Sequence, residues 1–258
     1  MKQTLASSLQ ILFPESSKST HKKWIKAGRI LVNGKKIIDP KFETSNQDNI
    51  QLKEKKKFIE HGIEILYEDS EIVVLDKPHG LLSVATAFEK SETAHGAVKQ
   101  YHKKVYPVHR LDRETSGIMV MAFTDEAREG LKTQFINHTI FRQYTAIVRG
   151  KLSGEGTWAS RLKEDSTYFV HSHPKGVIAI SHFKSISLRA KTTVVELVLE
   201  TGRKNQIRAQ AREAGYPVLG DEKYGDSSSK RLYLHASKLS FIHPISKKPM
   251  KFHSLAPF

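Results

Sequence analysis

A short charged segment with an aspartate at its centre stands directly before an apolar run. The segment HRLDRETSG, residues 109–117, places Asp112 among Arg110, Arg113 and Glu114, and IMVMAF follows at once. Because guanidinium groups favour the charged form of a nearby carboxyl, we expect a lowered pKa for Asp112 and an ionised group at neutral pH. An ionised aspartate on a loop can be a nucleophile, a general base or a structural ion-pair partner. From this segment alone, the structural role is the more common one.

A second candidate segment is LETGRKNQIRAQAREAG, residues 199–215. Its Thr-Gly pair predicts a turn after an apolar strand, and a helical pattern then runs from Asn205 to Ala214. Arg203 and Arg208 therefore emerge where a strand meets a helix, a usual place for groups that bind an anionic ligand. The glycine and lysine spacing of a P-loop is absent. The alternative is an exposed amphipathic helix without a ligand.

The remaining candidates are weaker. Tyr144 lies on an apolar strand, FRQYTAIVRG, where a tyrosine is usually half-buried core. Among thirteen histidines only His171 and His173 have a close metal-like spacing, and no third ligand is in view, so we expect no metal. The chain has no cysteine, which excludes disulfides and thiolate sites. We expect no cofactor.

The charge of the chain indicates its partner. The 258 residues include 42 Lys and Arg against 27 Asp and Glu, a net charge of +15. An excess of this size usually means a polyanion, most often nucleic acid. An anionic membrane is the competing partner, but no apolar run approaches the roughly 20 residues that span a bilayer. The N-terminus also lacks the pattern of a signal peptide. We therefore expect a cytoplasmic protein that binds no membrane.

A lysine cluster, KEKKK at 53–57, predicts a linker and a domain boundary near residue 60. We expect one domain over 1–60 and a second over 61–258. In the second, several strands follow one another without an intervening helix. This order favours an α+β domain around a mixed, largely antiparallel sheet. The predicted strands are 72–75, 117–123, 144–150, 177–183 and 192–200, and the predicted helices are 91–103, 125–136 and 204–214.

The first sixty residues predict two helices and a hairpin. Leu5, Leu9 and Leu12 have helical spacing, and a second helix through HKKWIKA follows a cap at Ser17 or Ser19. Asn-Gly at 33–34, between apolar runs, predicts the hairpin turn.

On the second helix, Lys22, Lys26 and Arg29 are predicted to share one face, with Trp24 opposite. The bland alternative for such a face is solubility. The order of a basic helix, KAGRILVNGKKI and DNIQL resembles the S-four RNA-binding module over most of residues 5–55. The resemblance implies a small α/β domain that docks on structured RNA. Its phosphate contacts, which add affinity but no base specificity, would be Lys22, Lys23, Lys26 and Arg29.

The motifs of the larger part resemble the RluA family of pseudouridine synthases. HRLDRETSG is similar to the most recognisable motif of that family. LDKPHGLL, RQYTAIVRG, TGRKNQIR, GYPVLGDEKYG and RLYLHASKLSFIHP resemble its other motifs and cover nearly all of 61–258. A related synthase family has Gly where this chain has His109, and the Thr-Ser-Gly ending also favours RluA.

The resemblance implies a pseudouridine synthase fold and a cofactor-free isomerisation of uridine in RNA. Asp112 would be the catalytic carboxylate, attacking C1′ or removing the 2′ proton, and Arg208 would pair with it. Tyr144 would stack on the extracted uracil and assist proton removal at C5. Arg110 and Arg113, together with Arg203, would bind RNA. The partner would be structured RNA, ribosomal before transfer RNA, and the enzyme a monomer.

Two alternatives stay open at this point. A glycoside hydrolase also cleaves at an anomeric carbon, with Asp112 and Glu114 as its two carboxylates, but the neighbouring arginines oppose the raised pKa that its acid needs. An RNA-binding or assembly protein with a relic pocket is the other. The chain also departs from the family pattern at Lys204, Asn205 and Gln210, which puts the local hydrogen bonding in question.

Overall fold

The computed structural model describes residues 3–26, 28–53, 57–86, 92–225 and 229–258. It divides into two compact units, Met1–Lys56 and Lys57–Phe258. Most of the lysine cluster that predicted the boundary lies outside the described residues. In the described part of the chain, no helix is long and apolar enough to cross a membrane.

The described residues of the first unit form two helices and five short strands. Helix α1 is Leu5–Leu12 and α2 is Lys18–Lys26. Thr4 caps α1, and the Ser17 hydroxyl accepts the Thr20 N–H at the start of α2, so Ser17 is the predicted cap. The strands are β1 Gln3–Thr4, β2 Ile30–Val32, β3 Lys35–Ile37, β4 Glu43–Thr44 and β5 Ile50–Leu52. Strand β1 pairs with β4, and a second sheet has the order β3-β2-β5.

The hairpin between β2 and β3 is confirmed. Asn33 and Gly34 both have positive φ, 51° and 78°, as a two-residue hairpin turn requires. The core beneath it joins the two helices to β2 through Leu5, Leu9, Ile25, Ile30 and Val32. Leu12, the third leucine of the predicted helix face, is half exposed instead.

The second unit is built on one twelve-stranded sheet. Its strands are β6 Lys57–Phe58, β7 Glu64–Glu68, β8 Ile72–Lys77, β9 Tyr106–Pro107, β10 Ser116–Ala122, β11 Phe141–Arg149, β12 Glu155–Glu164, β13 Val170–Ser172, β14 Val177–Leu188, β15 Thr192–Leu199, β16 Leu234–Ile242 and β17 Pro249–His253. The order is β13-β12-β14-β15-β11-β16-β10-β8-β7-β6, with β17 beside β16 and β9 beside β10. Only β10 and β16 pair in parallel among the described strands. The predicted α+β class with a mixed, largely antiparallel sheet is confirmed.

Three helices cover this sheet: α3 Ala94–Tyr101, α4 Asp125–Ile136 and α5 Gln206–Glu213. Strands β8 and β10 are buried on both faces. On β10, Met119 and Met121 pack in the cluster that contains α3, whereas Ile118 and Val120 pack in the cluster that contains α4. Both faces are apolar because each is covered by a helix. The charged segment 109–115 therefore enters a rigid strand.

Gly117 allows β10 to meet β16 closely. Its φ is +120°, and a Cβ there would lie 2.4 Å from the carbonyl oxygen of Ala236. Only glycine fits this contact. Gly117 thus fixes the position of the preceding segment 109–115, called the aspartate loop below, relative to β16.

Candidate active site

Three side chains from three separate elements line one small cavity. Asp112 lies on the loop before β10, Tyr144 on β11 and Arg208 on α5. The cavity, called the slot below, has a volume of about 60 Å³, and Arg110 and Arg203 also line it. The structure therefore brings together the carboxylate, the ring and the guanidinium that the sequence motifs singled out.

Arg208 is held by a carboxylate that the sequence did not point to. Its Nε and Nη2 donate to Oδ2 and Oδ1 of Asp221, both at 2.8 Å. Both side chains are almost fully buried, at 6% and 0% exposure. Such a two-bond fork fixes the guanidinium plane. Burial lowers the pKa of Arg208, but the hydrogen bonds and charge of Asp221 outweigh this and raise it.

The remaining nitrogen of this guanidinium faces the aspartate loop. Nη1 of Arg208 lies 3.4 Å from Oδ2 of Asp112 and 3.3 Å from Oε2 of Glu114. Burial raises the pKa of Asp112, the charge of Arg208 opposes this, and Glu114 adds to the rise. The predicted lowering of the Asp112 pKa is therefore wrong, because the loop folds inward and loss of water outweighs the nearby positive charges.

Asn205 supplies a neutral donor to the same carboxylate. With its amide nitrogen toward Asp112, it donates to Oδ2 at 2.8 Å and Oδ1 at 3.1 Å, and its oxygen accepts from the Tyr224 hydroxyl at 3.2 Å. The opposite orientation would set the amide oxygen against the carboxylate. Asn205 has φ of 50°, a left-handed conformation that asparagine tolerates well. Arg208 and Asn205 together favour an ionised Asp112.

Tyr144 forms the apolar wall of the slot. Its ring packs against the two core clusters that meet at this point of the sheet. Burial raises its pKa to about 12; the charge of Arg142 acts against this rise and that of Asp112 adds to it. The phenol is therefore neutral at physiological pH.

A buried lysine holds the aspartate loop in place through hydrogen bonds. Nζ of Lys77 donates to the carbonyl oxygens of Pro78, Leu81 and Arg113, at 3.0, 2.7 and 3.2 Å. Burial lowers the pKa of Lys77 to about 7. These bonds join the LDKPHGLL segment to the loop that carries Asp112.

Comparison with known proteins decides the family. The model of the RNA pseudouridylate synthase family matches residues 71–213, more than half of the chain, and the S4 domain model matches residues 5–50. The chain belongs to the RNA pseudouridylate synthase family. The resemblance to RluA enzymes is confirmed, and with it the reaction class, isomerisation of uridine to pseudouridine in RNA.

Curated relatives support this over the full length of the synthase. Ribosomal large subunit pseudouridine synthase D of Yersinia pestis is 32% identical over 285 residues, covering 99% of this chain and 88% of the relative. The protein of the same name from Escherichia coli K12 is 31% identical and covers 99% and 87%. An uncharacterized RNA pseudouridine synthase of Mycoplasma genitalium is 36% identical over 203 residues, covering 74% of this chain and 66% of the relative.

Solved structures confirm the predicted pseudouridine synthase fold. Human RNA pseudouridylate synthase domain-containing protein 1 superposes with a TM-score of 0.65 at 21% identity, covering 76% of this chain and 84% of that one. The human domain-containing protein 4 gives 0.61 at 22% identity, covering 75% and 88%. At this level of identity the likeness concerns the fold.

A larger basic cavity of about 410 Å³ adjoins the slot of the synthase and shares Asp112 and Arg208 with it. The predicted RNA-binding residues Arg110 and Arg113 both line this cavity. Arg113 also donates from Nε to the Gly80 carbonyl at 3.1 Å, so it ties two loops as well. The further cationic side chains along the cavity are Lys204, Lys223, Lys230 and Arg231.

The predicted RNA-binding residues of the S4 unit are placed differently from one another. Lys22, Lys23 and Lys26 are exposed on α2. Arg29 is half-buried: its Nε donates to the Lys53 carbonyl at 2.9 Å, and its guanidinium lies 5.6 Å from the Trp24 ring. The prediction that Trp24 points away from Arg29 is wrong, because the turn after α2 folds Arg29 back onto the indole.

Two of the departures from the family pattern have structural partners. Gln210 is buried, and its amide donates to the carbonyls of Trp158 and Ala179 at 3.1 and 3.0 Å, which ties α5 to β12 and β14. Lys204 forms an ion pair with Glu164. Asn205 is the third departure, and it is the one that contacts Asp112.

Proposed function

We propose that this synthase isomerises uridines in structured RNA, ribosomal RNA in the first place and transfer RNA as the alternative, with Asp112 as its catalytic carboxylate. The observation that carries the proposal is the slot in which Asp112, Tyr144 and Arg208 face one another. Two relatives that match nearly the whole chain are ribosomal large subunit pseudouridine synthases, which favours ribosomal RNA.

Asp112 acts at the ribose. The reaction breaks the N1–C1′ bond, turns the uracil and forms the C5–C1′ bond; the C5 proton is lost and N1 gains one. Asp112 either attacks C1′ or removes the 2′ proton, and both routes need a charged carboxylate. Arg208 at 3.4 Å and the Asn205 amide at 2.8 Å counter the effect of burial and keep this charge available.

Tyr144 stacks on the extracted uracil and assists proton removal at C5. With a pKa of about 12, roughly one molecule in 10⁵ carries a phenolate at pH 7. The phenolate is therefore the minor form, and it is the form that can accept the C5 proton. Stacking on the ring contributes about 1–3 kcal/mol and offsets the few kcal/mol that base flipping costs.

The remaining cationic groups bind the RNA backbone. Arg110 and Arg203 at the slot and Arg113 in the basic cavity hold phosphates around the flipped nucleotide. Residues 1–60 form the RNA-docking domain, with phosphate contacts through Lys22, Lys23, Lys26 and Arg29, and residues 61–258 form the catalytic domain. We further propose a cytoplasmic monomer that works without metal or cofactor.

Replacing Asp112 by Asn tests the proposal. Asp112→Asn keeps the shape of the side chain but removes its charge, so RNA binding is retained while turnover falls by at least about 10⁴-fold. Turnover is measured as tritium released from C5-labelled uridine in ribosomal and transfer RNA transcripts, and binding by filter retention. Asp125→Asn, on the exposed start of α4, is the matched control.

The outcomes are distinct. Residual turnover of Asp112→Asn near that of the parent removes Asp112 from the mechanism. RNA binding without turnover in the parent itself would indicate the assembly protein with a relic pocket.

A further inference from the structure

A second groove opens beside the slot, and its residues Phe135, Ile136 and Arg142 have no role in the reaction proposed above. Its volume is about 580 Å³, within the usual range for ligand sites. It shares Arg110, Tyr144, Leu199 and Arg203 with the slot, but only Arg110 with the basic cavity. The slot is thus flanked by two cavities.

Arg142 lines this groove together with Arg110 and Arg203, and of these three arginines it alone lines neither the slot nor the basic cavity. It lies two positions before Tyr144 on β11, so both side chains emerge on the same face of the strand. Its Nη2 donates to the Glu200 carbonyl at 3.1 Å, and its Nε is buried without a hydrogen-bond partner. Within the described residues, no carboxylate oxygen lies within 4.0 Å of this guanidinium.

A half-buried guanidinium without a counterion is costly to the free protein. Burial lowers the pKa of Arg142, which reflects that cost. An anionic ligand in the groove would relieve it, since phosphate oxygens match the donors of the guanidinium.

The chain makes room for Arg142 at Gly202. A Cβ on Gly202 would lie 2.3 Å from Nη1 of Arg142, so any larger residue would displace the guanidinium. The glycine of the TGRKNQIR motif therefore seats a charge that is part of neither the slot nor the ion pairs of Arg208.

Part of the groove wall is apolar. The Phe135 ring lies 5.9 Å from the guanidinium of Arg142 and stacks on His109 at 4.6 Å between ring centroids, so its position is fixed. Ile136 follows at the end of α4 and is 74% exposed, so its side chain is accessible to a ligand in the groove. A cation beside a fixed ring and an exposed aliphatic side chain matches a nucleotide, which has a phosphate and a flat base.

We propose that this groove is the subsite for the nucleotide adjoining the target uridine, with its phosphate bound by Arg142 and its base against Phe135 and Ile136. The inference rests on the proposed function, because it takes Tyr144 as the residue that stacks on the flipped uracil. Tyr144 lines both the groove and the slot, so a nucleotide in the groove lies next to the one in the slot. The subsite would select RNA by the neighbour of the target.

The test is RNA binding in the Asp112→Asn background, where no turnover disturbs equilibrium. Arg142→Gln raises the Kd of a short RNA with the target uridine by about tenfold and reduces the salt dependence of log Kd by about one unit of slope. Arg189→Gln is the matched control, an exposed arginine in the turn between β14 and β15 that lines neither the slot nor the groove.

A substrate change locates the contact. Replacing one phosphate next to the target uridine by a neutral methylphosphonate weakens binding to the parent, on one side of the target only. Arg142→Gln no longer distinguishes the two RNAs. Equal discrimination by Arg142→Gln and the parent overturns the subsite.

A second variant covers the case in which Arg142→Gln does not fold. Ile136→Glu changes an exposed residue at a helix end and introduces a carboxylate that repels RNA phosphate, so Kd rises severalfold while the melting temperature stays unchanged. An unaltered Kd contradicts the proposal. Failure of the parent to convert uridine would count against the proposed function alone, because binding is measured separately.

Discussion

Arg208 and Arg142 line neighbouring cavities, and Tyr144 lines both. The surroundings of the two guanidinium groups differ. Arg208 is buried among three carboxylates, with Asp221 bound through two hydrogen bonds. Arg142 is half-buried beside backbone and aromatic rings, with a buried Nε that has no partner. The surroundings raise the pKa of Arg208 and lower that of Arg142.

The difference separates two uses of one residue type. A guanidinium whose hydrogen bonds are already used by the protein cannot be released to bind substrate; it acts as scaffold and fixes Asp112. A guanidinium with unused donors keeps its binding capacity for a ligand. Pairing with buried carboxylates therefore separates Arg208, which positions Asp112, from Arg142, for which we propose a contact with RNA.

Replacing Asp221 is expected to have the largest effect, because it leaves Arg208 buried without its main counterion. Asp221→Asn is expected to lower the free energy of unfolding by about 3 kcal/mol or more. Turnover falls by about 100-fold or more, since Arg208 no longer holds Asp112 in place. Urea unfolding and tritium release measure the two effects.

Asp125→Asn serves again as control, since its ion pairs with Lys104 and Arg128 are at the surface and contribute little. A loss of less than about 1 kcal/mol in Asp221→Asn would show that Asp112 and Glu114 suffice to compensate Arg208.

Replacing Asn205 tests how much a neutral hydrogen-bond donor contributes to the charge of Asp112 beside Arg208. Its amide stabilises only the charged form of Asp112, so Asn205→Ala raises the Asp112 pKa further. Activity that requires the ionised carboxylate is lost as pH falls through this pKa. The acid limb of kcat/KM therefore moves to higher pH, by up to about one unit.

The pH dependence of the free energy of unfolding has the opposite sign to that of activity. Burial raises the pKa of Asp112 in the folded state above its ordinary value. Between the unfolded and folded pKa values the native protein holds more protons, so the free energy of unfolding falls as pH rises through that window. An acid limb that stays in place in Asn205→Ala would show that Arg208 alone sets the charge of Asp112.

The sequence predicted the elements with strong local patterns. The hairpin at Asn33-Gly34, helix α4 and the apolar strands β8 and β10 could be predicted because turn chemistry, capping and hydrophobicity all agreed there. Strand β12, EGTWASRLKE, was missed: its alternate residues are exposed, and it contains few of the apolar residues by which the other strands were predicted. Strand β16 was noticed only as a family motif, RLYLHASKLSFIHP.

The main residues of the site could be predicted from the sequence, but the residues that hold them in place could not. Asp112, Tyr144 and Arg208 stand in recognisable motifs. Asp221 lies thirteen residues beyond Arg208, in the motif GYPVLGDEKYG, where the residue types alone did not indicate a partner for Arg208. The direction of the Asp112 pKa shift depends on how deeply the loop folds inward, which a count of neighbouring charges does not contain.

Replacing Glu114, the second carboxylate beside Nη1 of Arg208, is expected to have the smallest effect on stability and activity. It contacts the same Nη1 as Asp112, at 3.3 Å, but is 45% exposed. Glu114→Gln is expected to change the free energy of unfolding by less than about 1 kcal/mol, since an exposed ion pair contributes little. Beside burial, the charge of Glu114 raises the pKa of Asp112, so its removal lowers that pKa and moves the acid limb of kcat/KM to lower pH. Asn205→Ala and Glu114→Gln thus shift the same limb in opposite directions, although both change a neighbour of one carboxylate. If both variants shifted the limb the same way, the titrating group would be some residue other than Asp112.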